Sequence, residues 1–127
     1  KYGYHGSQLS KAVLLLAADK LIKGEGERVY YFPAYEIVND ELRDYRFYKA
    51  DMLHPNEQAV EYIWEQLVAT CFSAEAKQFL EEWRPIKEAL AHRPFHPEAA
   101  AYQDFIKKTK EKAKMLELKY PNIELNL

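Results

Sequence analysis

At 127 residues the chain is long enough for one domain with a real core and too short for two ordinary ones. Hydrophobic residues at 48% and charged residues at 30% describe a globular protein, neither disordered nor membrane-embedded. The net charge of −2 gives no global field to recruit nucleic acid or an anionic membrane, and the longest wholly apolar run, Ala12 to Ala18, is far too short to span a bilayer. Neither nucleic acid nor a membrane is therefore expected as a partner. Cys71 is the only cysteine, which excludes an internal disulfide and a cysteine-rich zinc site. Its place on an apolar helical stripe reads as a buried, inert thiol.

Lys1 to Gly6 reads as a lead-in that carries neither a methionine nor a signal-peptide pattern, the start of a processed product or of a piece of a longer chain. Ser7 is positioned to cap a helix over Gln8 to Ile22, where Leu9, Val13, Leu16, Ala17 and Leu21 recur at helical spacing and Leu14 and Leu15 widen the stripe. Gly24-Glu25-Gly26 then supplies residues that tolerate positive φ and ends it. Arg28 to Phe32, closed by Pro33, predicts a short strand whose lack of alternation implies burial on both faces. One strand cannot form a sheet, so its partners are expected outside these residues or in a second copy. Of itself, then, the chain is predicted to be predominantly α-helical with one short strand.

Tyr35 to Val38 predicts a helical turn, and Asn39 to Ala50 a polar loop in which Tyr45, Phe47 and Tyr48 interleave with charges. Pro55 and a capping Asn56 introduce a helix over about 57 to 72, striped by Val60, Ile63, Trp64, Leu67, Val68, Cys71 and Phe72. Ser73 caps a further helix carrying Phe79, Leu80, Trp83, Ile86 and Leu90, in which Pro85 predicts a kink or break near residues 82 to 84. Arg93 to Pro97 is a rigid connector. The last helix, about 98 to 119, turns Tyr102, Phe105, Ile106, Thr109, Ala113 and Leu116 inward, and residues 122 to 127 form a tail.

The chemistry concentrates at Asp51-Met52-Leu53-His54-Pro55. A carboxylate three residues before a histidine, across a turn, can hold one ring nitrogen and leave the other to act as a general base. The bland reading is an exposed aspartate and a packed histidine at a helix mouth. The neighbouring loop, with Tyr35, Arg46 and Tyr48, offers donors that could line a substrate pocket; taken alone it reads as a solvated loop held by local ion pairs. His92 and His96 are four apart, but Pro94 and Pro97 argue against the helical geometry a metal pair needs. No cofactor or metal is implied. The lysines between 107 and 114 spread around their helix among acidic residues and read as solvated surface.

The stretch YFPAYEIVNDELRDYRFYKADMLHPNEQAVEYIW, together with HGSQLSKAVLLLA at 5 to 17 and LAHRPFHPEAAAYQDF at 90 to 105, resembles the C-terminal part of the GSCFA family, a branch similar to the SGNH or GDSL-type hydrolases. The resemblance implies a three-layer α/β hydrolase fold, of which residues 1 to 72 would be the C-terminal part of the catalytic domain and 73 to 127 a helical appendage. It assigns the final Asp-x-x-His of such enzymes to Asp51, the orienter, and His54, the base. The family's Gly-Ser-Cys-Phe-Ala motif, whose serine is presumed to be the nucleophile, does not occur in this sequence; Ser7, Ser10 and Ser73 all sit at predicted helix starts. The expectation is thus half of an active site: a serine hydrolase, an esterase or acetyl esterase acting on a small-molecule or glycan ester, whose nucleophile lies upstream and which these residues alone do not reconstitute.

The rival reading is a helical binding or scaffold module in which both residues are structural. A ring of His54 packed and bonded at both nitrogens would favour the module; one nitrogen on Asp51 and the other facing a cavity would favour the hydrolase. The unmet apolar faces of the strand and helices further predict self-association, as a dimer or a swapped assembly.

Overall fold

The computed structural model describes residues 3–125. The first two residues of the lead-in and the last two of the tail lie outside the described residues. Helix makes up 73% of the structure, and among the described residues there is no strand; the sole β feature is an isolated antiparallel bridge between Tyr48 and Pro55. The chain divides into two compact units between Leu67 and Val68.

The first unit opens with α1 (Gly3–Glu25). Its alanine- and leucine-rich centre favours helix strongly, and the helix stops where Gly26 turns to a φ of +60°, a conformation that costs glycine little. The helix starts five residues earlier than the sequence suggests, so Ser7 is inside α1 and is not its cap. No residue of α1 is buried. Ala18 and Ile22 are half-buried, whereas Leu9, Val13, Leu16 and Leu21 are exposed.

A 3-10 turn, Gly26–Arg28, leads into extended backbone where the strand was expected. Val29 has strand-like angles, φ −123° and ψ 124°, but no neighbouring chain pairs with the segment among the described residues, so no ladder forms. Tyr30 and Tyr31 are exposed, so burial on both faces is also not found. Strand preference reflects packing against neighbours more than an intrinsic backbone preference. Here the neighbours are missing.

The expected turn after Pro33 is present as α2 (Ala34–Glu36) and continues as a π-helical turn, Ile37–Glu41. The amide of Leu42 reaches the carbonyl of Ile37 at 3.0 Å, a five-residue span that brings both side chains into one cluster with Ala59. Phe32, Phe47, Tyr62 and Ile63 pack around it. Ala59 belongs to α3 (Glu57–Cys71), and the Tyr62 hydroxyl on the same helix donates to Glu41 at 2.5 Å. α3 is therefore fastened to the π-turn by both a core and a polar contact. Truncating Leu42 to alanine in so small a core should cost about 2–5 kcal/mol.

The apolar stripe expected on α3 is only partly covered. Ala59 is its buried residue, while Val60 and Trp64 are exposed, and Cys71 is exposed rather than buried. Helical periodicity identifies an apolar face but not what covers it.

The second unit is a helical hairpin. α4 (Ala74–Ala91) is capped as expected by Ser73, whose hydroxyl accepts from the Ala76 amide at 3.1 Å. Of the kink or break expected near Pro85, the break is not found, and the helix runs on through it. Proline removes one donor and crowds the carbonyl four residues earlier; here both Pro85 and Glu81 are exposed, so water can satisfy the freed carbonyl. The connector after Ala91 leads to α5 (Ala100–Lys119).

Thr109, Ala113 and Leu116 of α5 are buried as predicted, although Phe105 is exposed. Ile86, Ala113, Leu116 and Tyr120 form the core, with Phe79, Trp83 and Leu90 packed on it. Phe79 meets Tyr120 edge-on at 5.2 Å, and Lys119 donates to Glu82 at 2.5 Å beside them.

Candidate active site

Residues 46 to 56 leave the 3-10 turn Tyr45–Phe47, double back and enter α3. Two backbone bonds close the reversal, from the Lys49 amide to the His54 carbonyl at 2.8 Å and from the Asn56 amide to the Phe47 carbonyl at 2.8 Å. Between them lies the Tyr48–Pro55 bridge, and at the tip the Met52 amide donates to the Lys49 carbonyl at 2.9 Å. Met52 has a φ of +61° and is the only non-glycine with positive φ among the described residues. Such strain persists only where the surrounding structure enforces it.

Asp51 is what enforces it. One carboxylate oxygen, Oδ1, accepts the amides of Leu53 at 2.9 Å and His54 at 3.0 Å, while Oδ2 lies 2.6 Å from Nδ1 of the His54 ring. One side chain thus fixes both the backbone that carries the histidine and the direction of its ring. The amide of His54, then its ring, then the amide of Leu53 hold the Asp51 carboxyl well below the usual aspartate range, so it stays ionised at neutral pH.

The side chains of His54 and Asp51 are 72% and 45% exposed. Among the described residues Nε2 of His54 has no hydrogen-bond partner. One nitrogen therefore meets Asp51 and the other faces outward. An open depression of about 500 Å³, lined by Lys49, Ala50, Asn56, Glu57 and Gln58, lies along the loop and the start of α3.

Arg46 and Tyr48 belong to the same loop but are engaged locally. The Arg46 amide and guanidinium both face Asp44, its cation lies 5.0 Å from the Phe47 ring, and Tyr48 is half-buried at the bridge. Tyr35 is occupied elsewhere, 5.6 Å from the Lys11 ammonium in a hollow of about 290 Å³ shared with Leu14, Leu15, Ala18 and Tyr31. The structure brings Asp51 and His54 into contact and does not gather Tyr35 with them.

Residues 1–67, which include this loop, match the model of the GSCFA family. The chain belongs to the GSCFA family. Residues 83–127 match a second model, the C-terminal domain of GSCFA domain proteins. No curated protein and no solved structure matches the chain. In this GSCFA chain the first family match contains the whole Asp51–His54 loop and the second lies wholly within the α4–α5 hairpin unit.

Sequence spacing finds the pair and the cap but not Met52, whose left-handed backbone has no signature in a methionine. It also passes over the second bond made by Asn56, from Nδ2 to the Arg46 carbonyl at 2.5 Å. The partner is a backbone carbonyl ten residues away, which no local spacing rule points to.

Proposed function

We propose that this GSCFA chain supplies the general base and its orienter to a serine hydrolase of the SGNH type, an esterase or acetyl esterase. The observation that carries the reading is the 2.6 Å contact between Asp51 Oδ2 and His54 Nδ1, made by an ionised carboxylate. Because an ionised carboxylate can only accept, the imidazole proton is assigned to Nδ1 and the Nε2 lone pair to the outward side.

In the reaction, Nε2 takes the proton of a serine hydroxyl as its oxygen bonds to the acyl carbon of the ester. The imidazolium, held against the Asp51 carboxylate, then returns that proton to the departing alkoxide. Water repeats the sequence to release the acid and restore the serine. No serine of this chain is a hydrogen-bond partner of His54 among the described residues: Ser7 and Ser10 lie on α1, and the hydroxyl of Ser73 caps α4. The nucleophile is accordingly assigned to a part of the protein outside these residues, as is the parallel sheet of an α/β hydrolase.

Residues 1 to 72 are the part assigned to that catalytic domain and 73 to 127 the helical appendage. The substrate is a small-molecule or glycan ester. Copies of this chain further associate through the uncovered apolar face of α1.

The test is the rate of the full-length parent and its His54→Ala variant on a short-chain aryl ester. A loss of several orders of magnitude supports the assignment, and equal rates overturn it. The ring is neither packed nor bonded at both nitrogens, but His54 does not line the hollow beside the loop, so a variant that hydrolyses normally would favour the binding-module reading.

A further inference from the structure

The reversal that carries Asp51 and His54 has a weak point. Tyr48 and Pro55 face each other as a non-hydrogen-bonded pair, so Pro55 forfeits no bond of the bridge, but the pairing extends no further than the two bonds that flank it. Two backbone bonds close the reversal, His54 accepting from Lys49 and Asn56 donating to Phe47. Asn56 adds a third with its side chain, Nδ2 donating to the Arg46 carbonyl at 2.5 Å, ten residues away in sequence. The other end of the same amide, Oδ1, accepts the Ala59 amide at 3.0 Å and caps α3.

Ala59 is 1% exposed and part of the core with Ile37 and Leu42. A continuous chain of bonds therefore runs from that core through Ala59 and Asn56 to Arg46 and Phe47, where the loop begins. From there it returns through the Lys49–His54 bond to the histidine.

We infer that Asn56 is a positioning residue for the Asp51–His54 pair, fixing the loop to the α3 N-terminus by using its donor on one element and its acceptor on the other. The inference rests on the hydrolase reading only for its kinetic consequence; the geometric claim stands apart from it. No other side chain of the same length offers both groups. Aspartate keeps the cap, and its charge suits a helix N-terminus. But it presents an oxygen to the Arg46 carbonyl where Asn56 presents a donor. Serine also caps well, yet its hydroxyl is one bond too short to reach Arg46 from the same backbone.

This separates helix capping from loop positioning. Asn56→Asp should leave the helical circular dichroism and melting of the chain close to those of the parent sequence. It should abolish or broaden the downfield proton resonance of His54 Nδ1–H, which reports the bond to Asp51. In the full-length parent, kcat on an aryl ester should fall on the order of tenfold to a hundredfold with KM little changed, as expected for a displaced base.

An unaltered Nδ1–H resonance together with an unaltered kcat in Asn56→Asp overturns the inference. If that variant does not fold, Asn56→Ser takes its place with the same two readouts. The hydrolase reading fails separately: an inert His54→Ala substitution would remove it, while loss of the Nδ1–H signal in Asn56→Asp would still establish Asn56 as the residue that positions the ring.

Discussion

Asp51 holds His54 twice, through the ring at Nδ1 and through the backbone amide, with different oxygens of one carboxylate. The two roles are separable because one needs a negative charge and the other only an acceptor. Asp51→Asn can keep its oxygen on the Leu53 and His54 amides, so slow exchange of those amides should persist. The ring loses its anion, however, and with it the enforced tautomer, a change worth about 10⁴ in kcat in a serine protease triad. Asp51→Ala should lose both, with fast amide exchange at residues 53 and 54. Rapid exchange in the asparagine variant would show that the charge, not the geometry, shapes the turn.

The pH dependence of the turn follows from the same contacts. Asp51 has a folded-state pKa depressed below its ordinary value, so its stabilisation is fully present above that ordinary value. It is lost as pH falls through the lower, folded-state value. Titrated by NMR, the Leu53 and His54 amide shifts should therefore hold steady well below pH 3.8, where a free aspartate is half protonated. A midpoint at the ordinary aspartate value would contradict the bonding described.

In the α4–α5 unit the Glu82–Lys119 pair gives a second, wider window. Lys119, Gln78 and Tyr120 hold the Glu82 carboxyl down, Lys119 first, while Glu82 raises Lys119. The contribution of Glu82 is present above its ordinary 4.5 and fades only below it; that of Lys119 is present below 10.5 and fades only above. Melting of this unit should thus be insensitive to the pair between those values. Lys119→Met should lower the melting temperature at pH 7 and have little effect at extreme acid, where Glu82 is protonated in either variant.

How much of this was legible in the sequence depends on how local the cause is. The Asp51–His54 contact, the Asn56 and Ser73 caps and the stop at Gly26 are set by side chains within three residues of what they satisfy, and spacing finds them. The strand at 28 to 32 needed a partner chain, and without one the same tyrosines lie exposed. Pro85 does not break α4, because its cost depends on whether the carbonyl of Glu81, an exposed residue, reaches water. Cys71 was misread because its stripe is apolar yet uncovered. Each miss turns on a neighbour that a one-dimensional pattern does not contain.

Met52 offers a test of stored strain. At φ +61° a side chain crowds the backbone, and a β-branched one crowds it most. Met52→Val should destabilise the first unit by about 1–3 kcal/mol in chemical denaturation. Met52→Gly removes the strain but frees the unfolded chain by a similar amount, about 0.5–1 kcal/mol, and should come out near neutral. A valine variant as stable as the glycine variant would mean the turn relaxes at no cost.

The association proposed for α1 can be bounded by area. Leu9, Val13, Leu16 and Leu21 are between 55% and 69% exposed on a 23-residue helix. Such a helix is about 35 Å long and about 10 Å across, so one face offers roughly 350 Å² per copy. A stable specific interface buries about 800 Å² per partner. α1 alone supplies less than half of that, which argues for a weak, concentration-dependent dimer rather than a tight or swapped one. Sedimentation from about micromolar to about millimolar protein should show a reversible shift toward dimer. Leu16→Glu should remove the shift while leaving helical content unchanged, since Leu16 is 69% exposed and supports no core. A monomer at every concentration would overturn the association, and a dimer persisting below micromolar would show that surface beyond α1 takes part.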